Sequence, residues 1–257
     1  MAADGQGPVR VVCTGLAKRF DDGTEALAPC DVTFAAGQVT ALIGPSGCGK
    51  STLLRLIAGL ERPSAGEVRI GALTPAQTCQ RGEVALAFQD PSLLPWLSLR
   101  ANVALARKLA RLRADPAQVE RLIDLVGLSG FSDMRPAQLS GGMRQRAAIA
   151  RALVTQPRLL LLDEPFGAVD ALTRRQLARD LPPLWQGRGT TTLLVTHSVD
   201  EAVALADRVL VLSPRPARIV ADIAVPLPHP REAALSETDA FRALTRQALA
   251  ALEDGAA

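Results

Sequence analysis

Nine consecutive residues, Gly44-Pro45-Ser46-Gly47-Cys48-Gly49-Lys50-Ser51-Thr52, restrict the folds open to this chain more than any other stretch. They fit Gly-x-x-x-x-Gly-Lys-[Ser/Thr], a loop that works only between a strand and a helix. Both flanks have that character. Residues 39–43, apolar but for Thr40, read as a buried strand, and Leu53, Leu54, Ile57 and Leu60 recur at helical spacing over residues 50–60, with Gly59 marking the last turn. The glycines let successive N–H groups turn inward toward phosphate oxygens, and the helix start adds partial positive charge. Lys50 can bridge the β- and γ-phosphates of a nucleoside triphosphate, and the Ser51 hydroxyl can ligate Mg²⁺. Lysine occurs only at positions 18, 50 and 108, so its place in this loop is not a by-product of abundance.

The rest of the chain is consistent with an α/β fold. Residues 9–13 and 31–34 read as short strands on either side of the turn-like Asp21-Asp22-Gly23, close enough to pair antiparallel. Residues 67–71 and 83–88 read as two more strands. From about residue 100 to 128 the chain turns helical and rich in Leu, Ala and Arg, which predicts a separate helical lobe. Strands return at 159–162, 191–195 and 209–212 with helices between them, the pattern of a mainly parallel sheet covered on both faces. Pro226, Pro228 and Pro230 interrupt it before a last helix at about 239–252.

Two further groups carry chemistry. Asp163 and Glu164 follow the apolar run 159–162 at its carboxyl end, where open α/β sheets place ligands. Neighbours on a strand point opposite ways, so the two carboxylates have different roles: Asp163 holds Mg²⁺, and Glu164 polarises an attacking water as general base. Ser140-Gly141-Gly142-Met143 reads as an N-capped helix start that permits close approach to an anion, with Met143, Ala147 and Ala150 along one face. A second phosphate-binding helix start, present once per chain, implies a nucleotide gripped between two copies. His197 follows the strand 191–195 at its carboxyl end, beside the carboxylates. The other histidine, His229, lies among prolines and reads as a surface residue.

With these pieces in place, the order GPSGCGKST at 44–52, Gln89, LSGGM at 139–143, LLLLDEP at 159–165, Ala168-Val169-Asp170 and His197 resembles the ATP-binding subunit of ABC (ATP-binding cassette) transporters, over residues 9 to about 230. FQDPSLLPW at 88–96 and VTHSVDEA at 195–202 look most like subunits that import nitrate, sulfonates, taurine or related small solutes. The resemblance implies a P-loop NTPase fold of ABC-ATPase type, with a RecA-like parallel sheet core, an antiparallel β subdomain and an inserted helical subdomain. It divides the chain into one ATPase domain at 9–230 (core 9–90 and 155–230, helical subdomain 91–154) and a helical tail at 231–257.

The resemblance also implies roles. Phe20 stacks on adenine. Gly44 to Thr52 hold the phosphates, and Ser51, Gln89 and Asp163 hold Mg²⁺. Gln89 senses the γ-phosphate and the attacking water. Ser140, Gly141 and Gly142 face the ATP of the partner subunit, and Asp170 lies in the loop crossing the dimer interface. His197 bonds the γ-phosphate and keeps water and Glu164 in place. Met143, Val169 and Ser198 depart from the commoner Gln, Leu and Asp of the family, and none of them removes a group needed for hydrolysis. ATP and Mg²⁺ are the implied ligands. The implied partners are a second copy, a transmembrane permease and, indirectly, a periplasmic or extracellular substrate-binding protein.

Composition excludes little but excludes it clearly. A formal net charge of +3 is too small to argue for a nucleic-acid partner, and the coiled coil, zinc modules or second cassette of ABC-type ATPases that act on DNA or the ribosome are missing. That class is the alternative function. Cys13, Cys30, Cys48 and Cys79 form no CxxC pair, which fits a reducing cytosol. No apolar run approaches the ~20 residues of a membrane span. Together with this, the resemblance implies a peripheral location on the cytoplasmic face of a bacterial inner membrane. The 50 residues between Gln89 and Ser140 suit a small helical lobe, which the resemblance implies receives a helix of the membrane subunit. Leu93, Leu94, Pro95, Trp96 and Leu97 either dock that partner or seal the lobe's own core.

Overall fold

Two sheets enclose the helix at the end of the phosphate loop. The structure, a computed structural model, describes residues 7–229, 231 and 233–255; Pro230, one of the three prolines that interrupt the sequence pattern, lies outside them. Strands β1 (Val11–Arg19) and β2 (Glu25–Phe34) pair antiparallel with Val11 opposite Phe34, about twice the length that their apolar runs predict. Irregularities in register after Cys13 and Leu16 keep Val11, Cys13 and Leu16 all facing inward, although their spacing is not a strict alternation. Strand β3 (Val39–Ile43) is buried along its whole length and leads into the phosphate loop and α1 (Lys50–Ile57). The helix stops at Ile57, so Leu60 falls beyond it and is exposed rather than part of the apolar face.

Strand β4 (Ala65–Ile70) completes the small sheet in the order β2-β1-β4. Helix α2 (Pro75–Gln80) is not legible from periodicity. It is set by a capping box in which Thr74 and Gln77 exchange side chain-to-backbone bonds, with Pro75 at the first position. Strand β5 (Val84–Ala87) then enters the main sheet. The helical lobe consists of α3 (Leu99–Leu109), α4 (Pro116–Leu125) and α5 (Gly141–Leu153), joined through buried Leu99, Val103, Val119, Ile123 and Ala147.

Strand β6 (Leu159–Asp163) returns to the sheet, and after it come α6 (Ala171–Asp180), α7 (Pro182–Gln186), β7 (Thr191–Val195), α8 (Val199–Leu205) and β8 (Arg208–Leu212). The six-stranded order is β5-β6-β7-β3-β8-β9, where β9 (Ile219–Ala224) runs antiparallel at the edge and the others are parallel. Strand β9 is silent in the sequence pattern because only Ile223 in it is fully buried. The last helix, α9 (Asp239–Asp254), packs Phe241 and Ala248 into the main core, so this part of the C-terminal segment is built onto the fold.

One buried side chain shapes the segment after Gln89. Asn102, fully buried on α3, accepts from Leu94 N–H at 2.7 Å and donates to Leu94 O, Leu97 O and Ser98 O at 3.1, 3.2 and 3.0 Å. It pins residues 94–98 to the lobe, and Trp96 between those anchors is 66% exposed. Asn102→Leu keeps the approximate volume but leaves Leu94 N–H and Leu97 O without this partner, while Leu94 O and Ser98 O keep the N–H groups of Leu97 and Asn102. It should cost ~2–4 kcal/mol of stability, read as a lower urea midpoint. An unchanged midpoint would show that water replaces the side chain.

Candidate nucleotide site

Every group read as chemical on the core stands at the carboxyl end of a strand of the main sheet. The phosphate loop leaves β3, Gln89 lies just past β5, Asp163 ends β6, and His197 lies just past β7. Within the loop, Lys50 is 6% exposed and donates from Nζ to Gly44 O and Pro45 O, both at 2.8 Å, which holds the ammonium at the loop's centre. Gly49 has φ 128°, and a Cβ there would lie 2.5 Å from Ala26 O of β2. No other residue fits that position, and the contact ties the loop to the small sheet. Arg215 stands on the loop's other side, its Nη2 3.3 Å from where a Cβ on Gly47 would be.

The two adjacent carboxylates do separate, though not by strand alternation. Asp163 is the last residue of β6 and 4% exposed, and its Oδ1 accepts from Ser51 Oγ at 2.9 Å. Burial pushes its carboxyl above the ordinary range, with the Ser51 bond pulling the other way. Two hard oxygens side by side, one on a carboxylate whose charge burial disfavours, make a donor set suited to Mg²⁺. Glu164 leaves the strand with φ 48°, its N–H donating to Val195 O at 3.0 Å. That left-handed turn swings its side chain toward two others. Gln89 Nε2 donates to Glu164 Oε2 at 3.2 Å, and His197 Nδ1 is 3.6 Å from the same oxygen. The residues that the resemblance places around an attacking water thus converge on one carboxylate oxygen.

The helix start at residue 140 forms as read. Ser140 caps α5, its Oγ accepting from Met143 N–H at 3.2 Å, and Ala147 and Ala150 line the buried face. Gly142 is needed for close approach: a Cβ there would lie 3.1 Å from Ala168 O, in the loop leading to Asp170. Asp170 caps α6 by accepting from Thr173 N–H at 3.0 Å, a bond that holds its carboxyl below the usual range. Among the described residues no hydrogen bond joins Ser140, Gly141 or Gly142 to loop 44–52 of the same chain. Phe20 is partly exposed just after β1, with Lys18 Nζ 4.8 Å from its ring centroid.

Residues that the sequence reading missed hold the segment after Gln89. Gln145 of α5, 1% exposed, donates to Phe88 O at 3.3 Å, and Arg151 donates to Pro91 O and Ser92 O at 2.7 and 2.8 Å. Their partners lie up to 60 residues away, so no local pattern could reveal them. His229 is exposed, and its Nε2 lies 2.8 Å from Asp207 Oδ1.

The ABC transporter family profile matches residues 27–167. An aliphatic sulfonates import ATP-binding protein, SsuB 2 of Xanthomonas axonopodis pv. citri, is 50% identical over 224 residues, covering 87% of this chain and 73% of that protein. SsuB of Rhodopseudomonas palustris is 47% identical over 247 residues, covering 93% and 83%. Among solved structures, the ATP-binding cassette MJ0796, captured as a dimer in a post-hydrolysis state bound to ADP and Pi, superposes with a TM-score of 0.78 at 28% identity, covering 84% of this chain and 98% of that one. With its loop, carboxylates and helix start in this order and geometry, the chain belongs to the ABC transporter family and is one of its ATP-hydrolysing, ATP-binding subunits.

Proposed function

We propose that this chain energises an importer of aliphatic sulfonates or closely similar small solutes, working as a dimer with two ATP molecules at the seam. The observation that carries the reading of the site is the convergence of Gln89 and His197 on Glu164 Oε2, beside the Ser51–Asp163 pair. Glu164 accepts the proton of the attacking water. Gln89 and His197 fix the carboxylate's orientation, and His197 reaches the γ-phosphate. Lys50 and the loop amides hold the phosphates. Ser51 and Asp163, with Gln89 beside them, would hold Mg²⁺, which when bound neutralises charge on the phosphate oxygens. Phe20 offers a flat apolar surface to the base.

The second grip comes from the partner copy: Ser140, Gly141 and Gly142 present a helix start, and Asp170 lies in the adjoining loop. The dimeric state of the similar cassette MJ0796 supports this arrangement. Closing and reopening the seam drives a separate transmembrane permease by rigid-body motion. A substrate-binding protein outside the membrane delivers the solute, and the chain sits on the inner membrane's cytoplasmic face. No helix among the described residues is long and apolar enough to cross a membrane. The names of the relatives, all import subunits, favour this reading over action on DNA or the ribosome.

Glu164→Gln keeps size and polarity but cannot take the water's proton, so hydrolysis should fall by roughly 10²-fold or more while ATP still binds. The closed form should then accumulate. Light scattering after size exclusion should show an ATP-dependent dimer, lost when Ser140→Arg blocks the facing helix start. Full ATPase activity in Glu164→Gln would pass the base role to His197 or Gln89.

The substrate is tested by deletion: growth on an aliphatic sulfonate as sole sulfur source should be lost and then restored by this chain, but not by its Lys50→Ala variant. Undiminished growth would remove sulfonate from the proposal. Trp96→Ala should abolish transport while leaving the thermal midpoint and the isolated subunit's ATPase rate unchanged, because the exposed indole is free to dock the permease. A large drop in midpoint would assign Trp96 to the lobe's own packing.

A further inference from the structure

The mechanism leaves one acid beside the site unused. Glu201, on α8, accepts at Oε2 from Thr196 Oγ1 at 2.9 Å. Thr196 Oγ1 accepts from Ser198 N–H at 3.0 Å, and Ser198 Oγ accepts from Glu201 N–H at 3.2 Å. These bonds close a ring around the turn that carries His197, and Thr196 N–H anchors the turn to Leu42 O of β3 at 3.2 Å. The imidazole stands outside the ring and faces Glu164.

The other carboxylate oxygen, Glu201 Oε1, is buried without a partner among the described residues. Burial raises this carboxyl above its ordinary range; the bond from Thr196 and then the positive charge of Arg174 oppose the shift. Arg174 is on α6, the helix that Asp170 caps. Its Nη2 donates to Val169 O at 3.1 Å, and its Nε is likewise buried without a partner. Glu201 Oε1 is a buried acceptor and Arg174 Nε a buried donor, both unsatisfied, on two helices that pack against each other, and the charge of Arg174 is felt at the Glu201 carboxyl.

We propose that Glu201 is a positioning residue for His197. Its carboxylate locks the turn that aims the imidazole, and Arg174 Nε joins Oε1 when the Asp170 loop shifts as the two copies close. Closure sensed at the Asp170 loop is thereby passed to the γ-phosphate end of the site. The proposal rests on the role in hydrolysis proposed for His197.

A mutant cycle on the purified full chain tests it by steady-state ATPase kinetics. Glu201→Gln keeps the bond from Thr196 but gives up the charge, and should lower kcat about tenfold with KM for ATP unchanged within about twofold. Arg174→Gln should do the same. Because Glu201 acts through His197, Glu201→Gln should cost nothing further in a His197→Ala background, and the Glu201/Arg174 double variant should be no slower than the slower single. Thermal midpoints confirm folding, and if Glu201→Gln does not fold, Arg174→Gln runs the same cycle against His197→Ala. Wild-type kcat in Glu201→Gln, or its full loss recurring in the His197→Ala background, overturns this proposal alone. Full activity in His197→Ala overturns the role of His197 and this proposal with it.

Discussion

The register of three buried parallel strands is the constraint on which the rest of this structure depends. Val195 of β7 lies opposite Leu42 of β3 on one side and Asp163 of β6 on the other. The three chains therefore leave the sheet at one level, and the segments that continue them must share the same small volume: the phosphate loop, Glu164, and the Thr196–His197 turn. Two cross-strand bonds extend the pairing beyond the strands, Glu164 N–H to Val195 O and Thr196 N–H to Leu42 O. A slip of β6 by one residue would turn Asp163 to the opposite face and separate it from Ser51. All five residues of each strand are buried, so such a slip has no apolar surface to gain and only hydrogen bonds to lose.

This explains why so much of the site is legible in the sequence alone. Short, mostly apolar runs declare buried parallel strands, and the residues at the end of each run fall at the ligand-binding end of the sheet. The phosphate loop, Asp163, Glu164 and His197 can all be placed that way. The illegible part lies in conformation and in long-range contact. Alternation predicts that Glu164 diverges from Asp163, but it diverges by a left-handed turn that no residue type announces. Asn102, Gln145, Arg151 and Arg215 have no motif of their own. Their roles come from carbonyls and loop atoms that tertiary folding brings to them. Strand β9 pairs only with β8 at the sheet's edge and so carries little of the apolar pattern that betrays a central strand.

The long-range contacts also decide how the helical lobe and the core communicate. The segment after Gln89 is gripped twice on its way into the lobe. Gln145 and Arg151 tie its first part to α5, and Asn102 ties its last part to α3. The capped start of α5 is the same helix end that Ser140 presents. A movement of α5 is therefore transmitted directly to Phe88 and to the residue beside it, Gln89, without passing through the sheet. Trp96, held between the Asn102 anchors and left exposed, sits on the same mechanical element. Under the proposed function, nucleotide sensing, partner contact and membrane docking share one rigid lever. This is the economical way for a two-state element to couple distant sites, since packed helices shift as units rather than deform.

Two loops meet at Gly142. Its lack of a side chain lets α5 approach Ala168 O at a distance that a Cβ would crowd, so the start of α5 and the Asp170 loop move together. Asp170 spends its carboxylate on capping α6, which keeps the helix start rigid and leaves the Ala168–Val169 backbone to make the contact. From there Arg174 reads the position of Val169 through a single hydrogen bond, one turn into α6. Under the proposed mechanism the path from helix start to Glu164 has two branches, one through the Gln89 segment and one through the Arg174–Glu201 pairing proposed between α6 and α8, and the residues that end them, Gln89 and His197, both meet Glu164 Oε2. If closure is required to set both branches, a carboxylate oriented by only one of them is a poor base. Hydrolysis then stays slow until a partner is present, which is the behaviour a transport ATPase needs if ATP is not to be consumed without work.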